Sequence, residues 1–163
     1  MRMKSVPMLA LAVLVTGSSG AAADWQHYVN ARFGTSADVP AGFVRASPPD
    51  NGDGQTFTSS DGGSVTIFGG LNPMGSSLAE YRRFLTGVLE EDGWTLSYLP
   101  EGRTWFVLSG TRDGELLYRR VEHRASCRAD LLHHIEFRYP SSRAAAWSPI
   151  VKRGATTLDG PCG

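Results

Sequence analysis

Four strand-like runs follow one another between residues 94 and 139, and the first three are separated only by turn chemistry. The runs are Trp94 to Leu99, Thr104 to Gly110, Glu115 to Arg124 and Ala129 to Tyr139. Between them stand Pro100-Glu101-Gly102 and Arg112-Asp113-Gly114. Links this short join antiparallel strands, because a parallel crossover needs a dozen or more residues. The chain is therefore committed to hairpins. The last run alternates most clearly. Leu131, His133, Ile135, Phe137 and Tyr139 share one face and Leu132, His134, Glu136 and Arg138 the other, and the first face is expected to cover the core.

The same grammar appears earlier in the chain. Gln55 to Ser59 and Ser64 to Phe68 flank Asp61-Gly62-Gly63, a hairpin signal. Tyr28 to Phe33 and Phe43 to Ala46 read as short strands on either side of a turn-rich stretch, GTSADVPAG. Gly69 to Gly75 reads as a loop that leads into a helix. That helix opens on Ser77-Leu78-Ala79-Glu80, a capping box. Leu78, Tyr81, Leu85 and Val88, with Phe84 and Leu89, recur at helical spacing, and Gly93 supplies a C-terminal stop. A second helical stretch runs from Ser141 through Trp147, with Pro149 dividing it into two short helices or kinking one. Strands, helix, strands, helix define an α+β protein. It should hold an antiparallel sheet of about six to eight strands, packed with two helices.

The first 23 residues are of another kind. Arg2 and Lys4 precede the apolar stretch Val6 to Val15, and small residues end at Ala21-Ala22-Ala23. This is the pattern of a secretory signal peptide. The apolar stretch is shorter than the ~20 residues that span a bilayer, so no stable membrane anchor remains after cleavage. A mature chain from Asp24 to Gly163 forms a single domain, with periplasmic or secreted localisation. It carries 14 basic residues against 16 acidic ones, a net charge of −2. Such a balance has no gross field to draw nucleic acid. Its two cysteines, Cys127 and Cys162, form an even count in an oxidising compartment. The preferred reading is a disulfide stabilising the fold by roughly 3–4 kcal/mol. The alternative is a functional thiol served by His123.

Candidate chemistry is sparse. Asn51-Gly52-Asp53-Gly54 echoes the middle of a calcium loop, but the aligned first and twelfth positions fall on Pro49 and Ser60. A turn is therefore preferred to a metal site. His133 and His134 are adjacent on a strand and point to opposite faces, so they cannot chelate one ion together. No metal or cofactor is expected. The chain lacks G-x-S-x-G, S-x-x-K, H-E-x-x-H and the phosphate-binding glycine patterns. Arg119, Arg120, Arg124, Arg128 and Arg138 fall on neighbouring strands. They read first as partners of Glu115, Glu122 and Glu136, and otherwise as a patch for an acidic surface or an envelope polymer.

Several short runs carry a resemblance. Tyr28 to Gly34 (YVNARFG), Asp38 to Ala41, Asn51 to Gly54 and Phe57 are similar to a group of exported alphaproteobacterial proteins of unknown function. His134 to Pro140 (HIEFRYP) and Trp147 to Val151 resemble their closing strand and helix. The order of elements also resembles the PsbP/Mog-type fold, whose members act mainly as binding or assembly factors. That resemblance implies an accessory protein that binds an envelope protein or polymer, and brings no catalytic residues. The sheet face, or the loops at residues 50–54 and 69–75, would carry the contact. His133, Arg119, Arg138, Asn51 and Asp53 are the candidate contact residues. The alternative is a small-ligand binder or weak hydrolase with a pocket near His133 and the cross-strand arginines.

Overall fold

A computed structural model describes residues 24–72, 77–124 and 130–161. Residues 1–23, where a leader is expected, both cysteines and Arg128 lie outside the described residues. Seven strands form one antiparallel sheet in the order β3-β4-β5-β9-β8-β7-β6. These are β3 (Val44–Arg45), β4 (Gly54–Thr58), β5 (Ser64–Leu71), β6 (Thr95–Tyr98), β7 (Trp105–Arg112), β8 (Glu115–His123) and β9 (Leu131–Pro140). A separate hairpin pairs β1 (Trp25–Val29) with β2 (Ser36–Pro40). Helix α1 (Leu78–Glu91) and helix α2 (Ala144–Thr156) complete the fold, the latter preceded by a 3-10 turn over Ser141–Arg143. No helix among the described residues is long and apolar enough to cross a membrane.

The turns explain the register. Arg112 faces Glu115 across a two-residue link, and both linking residues take positive φ, 49° at Asp113 and 80° at Gly114. That is the primed turn whose twist matches the flanking strands, and Asp-Gly is a favoured pair for it. In α1 the capping box is complete. The Glu80 backbone N–H donates to the Ser77 hydroxyl, and the Ser77 backbone N–H donates to the Glu80 carboxylate at 2.8 Å. Gly93 ends the helix at φ 89°. The Arg112 guanidinium donates to the Asp92 carbonyl at 2.9 Å, bringing a cation to the acidic end left by Glu90, Glu91 and Asp92.

The sheet is covered on both faces, and this revises the one-sided expectation for β9. On one face α2 and the β1–β2 hairpin bury Val39, Phe57, Ile67, Ile135, Phe137 and Trp147. On the other, α1 buries Tyr81, Leu85 and Leu89 against Phe106, Leu108, Val121 and Leu132. Leu132, His134 and Glu136 are therefore buried as well. Phe84 and Val88 sit on the flank of α1 and remain 44% and 43% exposed, because the ridge through 81, 85 and 89 takes the centre of the contact.

Three further boundaries differ from expectation. Strand β1 stops at Val29 because the Asn30 side-chain oxygen accepts from the N–H groups of Arg32 (3.1 Å) and Phe33 (2.8 Å). The stretch read as turn-rich holds β2, whose Ala37 and Val39 are fully buried. Gly69, Gly70 and Leu71 extend β5 instead of opening a loop, because they pair with His133, Leu132 and Leu131 of β9. Helix α2 is one helix with Pro149 inside it, which settles the choice between one helix and two.

Candidate functional site

Strand alternation distributes the candidate residues over two faces of the sheet. Glu122 pairs across the strands with His133 on the α2 side, and Arg119 pairs with Glu136 on the α1 side. His133 and the pair Arg119 and Arg138 therefore do not converge on one pocket. His133 is fully buried. Its Nδ1 lies 2.7 Å from the Thr35 hydroxyl, while Nε2 is buried without a partner among the described residues. The ring fits because residue 160 is glycine: a Cβ there would stand 2.1 Å from Nε2. Burial and the nearby Arg124 cation hold its pKa below the ordinary imidazole value, so the ring is neutral at pH 7.

Arg119 and Arg138 both serve Glu136. The Arg119 guanidinium pairs closely with one carboxylate oxygen, and the Arg138 Nε donates to the other at 2.6 Å. Arg138 also lies over the Trp94 ring at 5.5 Å. Of the pairs expected across the strands, Arg119 with Glu136 joins β8 to β9, whereas Arg138 reaches Glu136 along β9 itself and Arg120 and Arg124 reach Glu122 along the run of β8.

Asn51 and Asp53 form part of a different construction. Arg32 donates to the Asn51 carbonyl at 2.7 Å and to one Asp53 oxygen at 2.6 Å, and the Asn51 amide donates to the other Asp53 oxygen at 2.8 Å. The Asn30 amide adds a bond to the Gly52 carbonyl at 2.9 Å. Both Asp53 oxygens are thus engaged, one fastening the loop to the β1–β2 turn through Arg32 and the other holding the loop's own Asn51. Ser47, Pro49 and Phe68 border a shallow recess of about 460 Å³ beside it.

A second open volume was not singled out in the sequence: a groove of about 630 Å³ between α2 and β8. Its helical wall is Ala144, Ser148, Val151, Lys152, Ala155 and Thr156, and its floor includes Tyr118, Arg120, Glu122 and Tyr139. The groove starts one strand away from His133, at that residue's cross-strand partner Glu122. Glu122 accepts from Arg120 at 2.6 Å and from Arg124 at 3.0 Å. The Arg120 guanidinium lies 4.4 Å over the Trp105 ring. Burial raises the pKa of both Tyr118 and Tyr139, so both hydroxyls stay protonated at neutral pH. Helical spacing of small residues along α2 is the one signal in the sequence that could have marked this wall, and it needs a known neighbour to be read.

An antiparallel seven-stranded sheet between helices, with a hairpin beside the second helix, places the chain in the PsbP/Mog-like class of α+β folds. Two solved structures show the likeness. The Ran-binding protein Mog1p of Saccharomyces cerevisiae is 14% identical with a TM-score of 0.59, over 85% of this chain and 96% of that one. The cyanobacterial PsbP protein CyanoP of Synechocystis sp. PCC 6803 is also 14% identical with a TM-score of 0.59, over 91% and 99%. No protein-family model matches the sequence, and no curated protein matches it.

Proposed function

We propose that this chain is an exported accessory protein that works by binding another component of the cell envelope through the α2 face of its sheet. The observation that carries the reading is the composition of that face beyond α2. Trp105, Tyr118 and Arg120 are only partly buried there, with Arg120 stacked on Trp105. On the edge strand Tyr98 is 56% exposed, and Leu99, just beyond it, is 38% exposed. Aromatic and arginine side chains held rigid and half-covered are what interface centres are built from. The leader at residues 1–23 supports the compartment, and the described fold neighbour Mog1p is itself a Ran-binding protein.

The test is photo-crosslinking in the producing cells, with a photoreactive residue at Tyr98 or, as a control, at Glu91 on the exposed side of α1. One recurrent adduct at Tyr98 that is absent at Glu91 and is lost with Trp105→Ala is expected. Adducts that do not depend on position would overturn the reading. A small-ligand or weakly hydrolytic role draws on the same groove, whose Glu122 adjoins His133. It would take precedence if the purified chain turned over a substrate with no partner present.

A further inference from the structure

The groove between α2 and β8 has a charge that its own residues do not balance. Arg120, Arg124 and Lys152 face it, against Glu122 within it and Asp159 at its end. Glu122 is shared by the two arginines, and Asp159 pairs with Arg124 at 3.0 Å from a position 57% exposed. That leaves the Lys152 ammonium as an exposed cation with no ion pair among the described residues. Arg124 stands beside it with its side chain 30% exposed. The rest of the lining is apolar or hydroxylic. Tyr118, Tyr139, Val151 and Leu158 form an apolar surface, and Ser148 and Thr156 stand on the helical wall.

We infer that this groove takes an extended acidic peptide segment of the partner. A carboxylate side chain would sit at Lys152 and the outer edge of Arg124, and a neighbouring apolar side chain on the Tyr118–Tyr139 floor. An extended chain puts alternate side chains on one side, at a spacing near 7 Å for every second residue. A groove along a helix receives such a strip lengthwise. One unopposed cation selects for negative charge, because a basic segment would meet like charge and a neutral one would leave Lys152 unpaired. This inference rests on the partner-binding reading above and narrows its site to the groove.

The test uses the purified chain and three capped hexapeptides that alternate phenylalanine with glutamate, glutamine or lysine. Binding is followed by backbone amide shifts in NMR titrations. The glutamate peptide should bind about tenfold or more tightly than either of the others, should shift residues lining the groove, and should weaken as salt is raised. Lys152→Glu should abolish the preference and Lys152→Arg retain it. Lys152 is exposed, so neither change threatens the fold. Ser148→Trp fills the groove from an exposed position and should remove binding without altering charge.

Equal binding of the three peptides, shifts confined to another surface, or indifference to Lys152→Glu would overturn the inference. If crosslinking at Tyr98 still captures a position-specific partner while the peptides fail, the groove assignment falls and the wider reading stands. If both fail, both fall.

Discussion

Single buried groups set this protein's response to pH. His134 is fully buried, lies 3.0 Å from the Tyr81 hydroxyl, and stacks on Phe68 with ring centres 4.4 Å apart. Burial, and then the Arg119 cation, push its pKa down to about 3. In the unfolded chain it titrates at the ordinary value near 6.5. The unfolded state therefore binds the extra proton first. The stabilisation is complete above about pH 6.5 and is lost as pH falls toward 3, by at most ~1.4 kcal/mol per pH unit for this group. His133 shifts in the same direction. Urea unfolding at pH 7.5, 6, 5 and 4.5 should show this decline, and His134→Phe should make it shallower. Asp61 acts with the same sign but in a more acidic window, since its folded-state pKa also lies below the unfolded value. Against the cost of burial, hydrogen bonds from Trp147, Ser59, Gly63 and Arg143 lower its pKa to about 2. Its contribution is thus present above the ordinary carboxylate value near 4 and fades in stronger acid. The Trp147 indole N–H donates to it at 2.9 Å. Asp61→Ala should cost roughly 1.5–3 kcal/mol by leaving that buried donor unpaired, measured as a shift in the urea midpoint at pH 7.

Elements were legible where local chemistry alone decides them. The capping box at Ser77 and Glu80 is written in four consecutive residues, and its reciprocal bonds form as the spacing predicts. Ser77→Ala should therefore destabilise the protein by about 1 kcal/mol, seen as a lower melting temperature with no change in helix content at 25 °C. The Asp113-Gly114 turn was legible for the same reason. Strand β2 was not. Ser36-Ala37-Asp38-Val39-Pro40 carries small, polar and turn-forming residues, and it becomes a strand through pairing with β1 and burial beneath α2. Asp38 shows the tertiary grip on it, since its carboxylate takes Arg153 of α2 at 2.9 Å. The end of β1 was equally hidden, because Asn30 stops it with a side-chain turn in a run that otherwise reads as strand.

At the scale of the molecule, the two helices divide the sheet between two cores, and β9 passes through the centre as part of both. The export reading belongs to this scale. Mass spectrometry of the chain recovered from cells should give an N-terminus at Asp24. Cys127 and Cys162 should take up alkylating reagent only after reduction, and reduction should lower the melting temperature. Free thiols in the recovered protein would return weight to the functional-cysteine alternative.

By itself the sequence determined the α+β class, the antiparallel connectivity of β6 to β8, and the start and stop of α1. Each follows from short-range physics: turns that need particular φ values, and a cap whose partners are three residues apart. Tertiary structure alone decided that both faces of β9 are buried, that β2 is a strand, and that His133 and Arg119 lie on opposite faces. It also decided that a groove opens between α2 and β8. Those outcomes depend on which surfaces meet across many residues of chain, and a groove has no sequence of its own because its two walls are brought together only by folding.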